Sequence, residues 1–410
     1  MALPAAQMGA ANEIQPGRGR VRTNSKRFLG VISLLVVAAI AAMALVACGG
    51  GSAPAAAPTK APEPAKAAEA TKPAAAPAAT TAAAPAAPAT TAPAAAANFP
   101  KMDVKLGHGG VLDMSYHKGA VKFSELMKER TGGNVNVQVF PNSQLGSEKD
   151  MLEQVKNGVI QISLTTPVML ANYEGWGQIG VTAMPYIFKG DTDEDQYPAL
   201  MKLMRGPIFK DVNDKAAKIS GIRGLDLGWW YGTRNLTNKT KEIKTADDIK
   251  GLKIRTMDAP IARGALDALG AATTPMAVAE LYSAMQMGVV DGQENPYNTT
   301  YASKYYEVQK YLAATGHMSM TVLMVTNDKW FQGLSPELQA IVVKSMQDAG
   351  DYQSDIQLKM NKQNLQDLQD KGMVFSKPDK AQLAEKTKDV YKQFSNLFTA
   401  DFYNQVKAAQ

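Results

Sequence analysis

Past residue 98 the chain switches between period-two and helical hydrophobic patterns. Met102, Val104 and Leu106 alternate with polar neighbours, which predicts a strand over Lys101–Leu106. Tyr116, Ala120, Phe123 and Met127 then share one helical face, and Gly132-Gly133 stops that helix. Val135, Val137 and Val139 alternate over a second strand closed by Pro141. Ser147, with Asp150 three residues on, opens the next helix as a capping box, and Gly158 ends it. Val159 to Thr165 reads as a buried strand. This β-α-β-α-β order predicts a parallel or mixed sheet with helices on both faces.

A second unit repeats the alternation. Ile222 to Trp230 is strand-like, and Leu252 and Ile254 alternate with Lys253 and Arg255 in another strand. Asp258 is placed to cap a helix with Pro260 in its first turn, ending at Gly270. Ala279 to Met287 reads as a short helix, Val289-Val290 as a brief strand, and Pro296 to about Tyr311 as helix. Ser335 caps a polar helical remainder with Pro336 at its first position, and Lys377-Pro378 separates another helix. The expectation is two α/β lobes and a helical C-terminus. Lobe 1 is residues 99–231 with 321–360; lobe 2 is residues 232–320 with 361–410. Two lobes with a cleft between them suit hinge closure on a ligand.

The first 98 residues have no such pattern. Arg18, Arg20, Arg22, Lys26 and Arg27, against the single acid Glu13, precede an apolar run from Phe28 to Ala47. That order marks a secretory signal. The run ends Leu45-Val46-Ala47-Cys48, like a bacterial lipobox, and Cys48 is the only cysteine of 410 residues. The expectation is a lipoprotein signal over 1–47 with lipid on Cys48, whose several acyl chains give stable anchoring. A plain transmembrane anchor is the other reading of the same run. Ala53 to Ala97 is almost entirely Ala, Pro and Thr, so 48–98 reads as a disordered tether. At ~3.1 Å per residue it reaches on the order of 140 Å.

Charge then loses its first appearance. The formal +6 sits mostly before Phe28, which leaves residues 98–410 about neutral. A basic nucleic-acid face is excluded on that ground. One thiol rules out an intrachain disulfide, and the scattered His108, His117 and His317 argue against structural zinc. No metal or cofactor is expected, and no nucleophile or base motif of the common hydrolases fits its context.

Two arginines carry the candidate chemistry. Arg234 follows an apolar strand, in Tyr231-Gly232-Thr233-Arg234-Asn235, and Arg255 ends Gly251-Leu252-Lys253-Ile254-Arg255. An arginine at a strand's carboxyl end offers a planar fork to a carboxylate. A surface arginine paired to a neighbouring acid fits the spacing as well. Asn295, before Pro296, can donate and accept at once, or simply turn the chain from strand to helix.

These residues lie in longer motifs. GLKIR, then GAATTPMAVAELYSAMQMGVVDGQENP, resembles the solute receptors of tripartite ATP-independent periplasmic (TRAP) transporters, the C4-dicarboxylate-receptor family. ERTGGNVNVQVFPNSQLGSEKDMLEQVKNG and the MPYIF at Met184 to Phe188 are similar to it too, and the likeness runs from about Lys105 to the C-terminus. The resemblance implies a two-lobed periplasmic-binding-protein-like α/β fold with a long hinge-spanning helix. It implies that an organic acid is bound in the cleft and handed to an ion-gradient-driven permease, by a monomer. It implies Arg255 as the main carboxylate partner, Arg234 as a second cleft arginine and Asn295 as the asparagine that orients the same carboxylate. His108 and Glu148 fall at or beside positions on the first-lobe side. Thr166 stands where sialic-acid binders carry a glutamate, and Val278 where many members carry Phe or Trp, which argues against sialic acid. A small hydroxy-, keto- or dicarboxylate remains open. A sensory receptor for a membrane kinase would use the same cleft, and an extracellular enzyme would need a nucleophile that is not recognisable here.

Overall fold

The computed structural model describes residues 99–410. The signal, Cys48 and the tether lie outside the described residues. The first unit is β1 (Met102–Gly107), α1 (Ser115–Arg130), β2 (Val135–Phe140), α2 (Glu148–Lys156) and β3 (Ile162–Thr165). Its strands are parallel in the order β2-β1-β3. The Ser147–Asp150 capping box is present, and Gly132 and Gly133 both take positive φ after α1.

A short helix α3 (Pro167–Leu170) leads to α4 (Asp193–Met204) and α5 (Pro207–Ser220). Neither α4 nor α5 was expected, although Thr192 and Asp195 form a second capping box. Pro198 within α4 masks the helical pattern.

Two strands of 17 residues, β4 (Ile222–Asn238) and, later in the chain, β8 (Tyr311–Asn327), pair antiparallel along the centre of the sheet. Between them the chain builds a second parallel triplet from β5 (Lys253–Thr256), α6 (Pro260–Ala268), β6 (Ala272–Pro275), α7 (Val278–Met287) and β7 (Gly292–Asn295). The sheet order is β2-β1-β3-β8-β4-β7-β5-β6, with β9 (Val374–Ser376) beside β8. The mixed sheet is thus two like triplets joined through two long strands.

Several boundaries differ from expectation. β4 does not stop at Trp230 but runs on to Asn238. Helix α6 is capped by Ala259 rather than Asp258. The strand near Val290 is Gly292–Asn295, so Asn295 ends a strand. The helix expected from Pro296 to Tyr311 is only α8 (Tyr297–Ala302) and a 3-10 turn at Tyr305–Glu307, after which β8 begins. Within β8, Thr, Ser and His residues interrupt the apolar run, and both faces are nonetheless covered. Burial on both faces removes the alternation by which a strand is read.

After α9 (Asp328–Gln332), helix α10 (Pro336–Asp370) runs for 35 residues, about 50 Å at 1.5 Å per residue. Its length matches the long helix of the expected fold. Ser335 caps it as expected. It packs on α1, β4 and α8 through buried polar side chains. The β4 ladder slips between Trp230 and Gly232, and Gly232 takes φ +112°. There the helix supplies the missing partners. Ser354 Oγ accepts from Trp230 N at 2.9 Å, Gln353 Nε2 donates to Trp230 O at 2.8 Å, and Gln357 Nε2 donates to Tyr231 O at 2.6 Å. Buried backbone groups at a bulge need such partners. The C-terminus closes with α11 (Lys380–Thr387) and α12 (Ala400–Ala408). No described helix is long and apolar enough to cross a membrane.

Candidate ligand-binding site

The carboxyl ends of both triplets open onto one cavity of about 470 Å³. Arg255 reaches it from β5, Arg234 from β4, Asn295 from the end of β7, Glu148 from the first turn of α2, Thr166 from the residue before α3, and Val278 from the first turn of α7. The seventh expected residue, His108, does not reach it. His108 is fully buried behind Tyr116, with ring centroids 5.5 Å apart. It accepts from Gly110 N at Nδ1 (3.2 Å), and its Nε2 lies 3.0 Å from His117 Nδ1. Burial, then the His117 neighbour, brings its pKa down to about 3, so the ring is neutral.

The two arginines differ in kind. Arg234 is already paired: Glu294 holds its Nε, and Nη2 donates to Glu294 Oε1 at 2.8 Å and to the Glu294 carbonyl at 2.7 Å. His317 Nε2 lies 3.4 Å from the same carboxylate. Burial pulls the Glu294 carboxyl upward, but the Arg234 charge and the bonds from His317 and Arg234 hold it down to about 2. Arg255 has no acid partner among the described residues. Its Nε and Nη2 both donate to Met276 O, at 3.0 and 2.7 Å, and the side chain is only 4% exposed. Burial pushes its pKa below the usual guanidinium value. A buried cation with a free edge on a cavity calls for an anion. The cap residue of α7, Ala277, makes no side-chain bond, so the partly positive start of that helix adds to the same corner.

Facing these groups is a carboxyl. Glu148 Oε1 accepts from Thr165 Oγ1 (2.8 Å), Thr166 N (2.6 Å) and Thr166 Oγ1 (2.9 Å). Its Oε2 has no hydrogen-bond partner among the described residues. Burial raises the Glu148 pKa, and the Thr165 and Thr166 donors work against that rise. Across the mouth the halves touch. Lys149 Nζ lies 3.8 Å from Asp258 Oδ2, and Thr166 Oγ1 lies 3.8 Å from Met257 Sδ.

Tyr231 and Tyr116 also line the cavity and were not among the expected residues. Tyr231 Oη donates to Asn295 Oδ1 at 2.9 Å and accepts from Thr299 Oγ1 at 3.0 Å. Simple alternation puts Tyr231 and Arg234 on opposite faces of β4. The slip at Gly232 brings both to the cavity, and only that glycine hints at it in the sequence. Thr233 and Asn235 face a second hollow of about 770 Å³. There Asp193 already accepts from Thr233 N (3.0 Å) and Asn361 Nδ2 (2.6 Å), and Asn235 from Gly316 N (3.1 Å).

Residues 106–397 match the family model described as bacterial extracellular solute-binding protein, family 7. The chain belongs to this family. Among similar proteins, the 2,3-diketo-L-gulonate-binding periplasmic protein of Escherichia coli is 36% identical, covering 58% of this chain and 70% of that one. The C4-dicarboxylate-binding periplasmic protein of Rhodobacter capsulatus is 30% identical, covering 75% and 90%. A TRAP periplasmic solute binding protein from Polaromonas, solved bound to D-erythronate, superposes with TM-score 0.70 at 29% identity, covering 75% and 99%. The sugar acid binding protein of Advenella mimigardefordensis with galactonate gives TM-score 0.70 at 26% identity, covering 76% and 98%. As a family 7 solute-binding protein the chain is a TRAP transport receptor of the extracytoplasmic space, in a family of receptors rather than enzymes.

Proposed function

We propose that this receptor holds a small organic acid by its carboxylate on Arg255 and delivers it to a TRAP permease. The observation that carries the reading is Arg255 itself, a buried guanidinium on the cavity with no acid among the described residues to neutralise it. Relatives that bind diketogulonate, C4-dicarboxylates, erythronate and galactonate support an acid as the cargo. Asn295, fixed at Oδ1 by Tyr231 and donating one N–H to Gln293 Oε1 at 2.6 Å, keeps a second N–H to orient that carboxylate. Arg234, held by Glu294, shapes and polarises the floor. Thr166 and Glu148 meet the far end of the ligand, and Val278 walls the side.

The lobes are 99–231 with 321–360 and 232–320 with 361–410. They pivot where β4 and β8 pass between the triplets, and closure raises the worth of each polar contact by excluding water. The mature chain is a monomer tethered through lipidated Cys48 and the Ala/Pro/Thr stretch. The test is titration calorimetry of Arg255→Ala and Arg255→Lys against an acid that binds the parent chain. Removal of the guanidinium is expected to cost roughly 2–5 kcal/mol of binding, with Lys recovering part. Binding by Arg255→Ala at parental affinity would refute the reading.

A further inference from the structure

We propose that the acid this cavity selects is a hydroxylated monocarboxylate, and that Glu148 is the residue that rejects dicarboxylates. The inference rests on the carboxylate reading of Arg255 and narrows it.

The argument is a charge count over the buried part of the site. Two cations reach the cavity, Arg234 and Arg255. Glu294 neutralises the first, at 1% and 2% side-chain exposure for the pair. One unmatched positive charge remains, enough for one carboxylate. Lys149 is the other basic residue on the lining, but it lies at the rim with 65% of its side chain exposed and already faces Asp258 at 3.8 Å. The remaining rim charges, Asp150, Asp258 and Glu280, are negative. A second ligand carboxylate would therefore enter a region with no free cation among the described residues and four acids, Glu148 included.

What the far side offers instead is acceptors for hydroxyl groups. Thr165 and Thr166 direct three donors at Glu148 Oε1, which fixes the carboxyl and opposes the rise that burial gives its pKa. Oε2 is left as an open acceptor. Tyr116 Oη, on the same lining, has no hydrogen-bond partner among the described residues and can give or take one. A ligand O–H on Glu148 makes a charge-assisted bond. A ligand carboxylate there has no hydrogen to give the open oxygen, and meets a like charge when Glu148 is ionised. The volume of about 470 Å³ is at the small end for ligand pockets and suits an acid of a few carbons with its hydroxyls.

The experiment compares acids of equal carbon number on the full chain, refolded from denaturant to strip carried-over ligand. Erythronate and galactonate represent hydroxylated monocarboxylates; succinate and adipate represent unhydroxylated dicarboxylates of matching length. In the parent chain a hydroxylated monocarboxylate is expected to bind at least about tenfold tighter than its matched dicarboxylate, a 1.4 kcal/mol preference. Glu148→Gln keeps the acceptor for Thr165 and Thr166 but turns the open oxygen into an N–H donor. It is expected to weaken the hydroxy acid about tenfold and to tighten the dicarboxylate, so the preference collapses or inverts. A dicarboxylate that binds the parent chain as tightly as the hydroxy acids, with binding lost in Arg255→Ala, overturns this inference and leaves the carboxylate reading standing. Loss of every acid from the parent panel overturns both. The parent ranking needs no variant, so a misfolded Glu148→Gln does not remove the test.

Discussion

The two parallel triplets have the same β-α-β-α-β order and the same strand arrangement, yet they bring opposite chemistry to the cavity. At the first turn of α2 stands Glu148, behind a complete capping box; at the first turn of α7 stands Val278, behind an uncapped Ala277. At the end of β3 comes Thr166, which donates to a carboxyl; at the end of β7 comes Asn295, locked between Tyr231 and Gln293. The first triplet presents an acceptor and fills its own helix start with acids. The second presents Arg255 and leaves its helix start without a side-chain cap, with Glu280 the acid of that first turn. Topology fixes where the functional positions are, and residue type alone decides which end of an asymmetric ligand each half receives.

That comparison can be broken at several points. The largest effect is expected from Glu294→Ala, which leaves Arg234 buried and unpaired. Loss of one partner of a buried ion pair should cost about 3–5 kcal/mol of stability, read by urea unfolding. A loss below about 1 kcal/mol would mean that the Arg234 charge is not held by Glu294. Next come the paired variants of the two halves. Arg255→Ala should weaken every acid alike, by roughly 2–5 kcal/mol, whereas Glu148→Gln should reorder them. If both act alike in calorimetry, the division of labour between the triplets fails.

A pH profile sharpens the first half alone. The folded pKa of His108, about 3, lies below the unfolded value of 6.5, so the unfolded chain binds more protons between those limits. The stability that neutral His108 protects is therefore complete above pH 6.5 and is lost as pH falls towards 3, at up to about 1.4 kcal/mol per unit. His108→Asn should flatten that slope in urea titrations at pH 7, 6 and 5; an unchanged slope assigns it elsewhere. The smallest effect is expected from Ser147→Ala, which removes the α2 cap and should cost about 0.5–2 kcal/mol by thermal unfolding. It should also loosen Glu148 and blunt its selectivity.

Much of this was open to sequence reading because local rules act within a few residues. The α2 capping box, the glycine stop after α1 and the Pro336 start of α10 depend only on neighbours, and all are present. The long motifs around Arg255 and Asn295 pointed to the family, and the two residues do meet at one cavity. The failures lie where burial on both faces erases the pattern. The run of β8 shows no readable pattern and is assigned no element from sequence, the pattern of β4 ends early at Trp230, and Pro198 hides α4.

What the sequence alone determined was the element order of the first triplet, the candidate arginines and the near-neutral balance of the folded part; the β6 strand of the second triplet carries too short a pattern to read. Resemblance singled out Arg255 as the main carboxylate partner, but position along the chain could not say which arginine is free. Arg234 and Arg255 look equivalent along the chain, each near the end of a strand. Only the pairing of β4 with β7 sets Arg234 against Glu294, 60 residues away, while Arg255 on β5 meets a carbonyl instead of an acid. Charge compensation is a property of distance in space, and a few ångströms separate a neutralised arginine from one that must take its anion from a ligand.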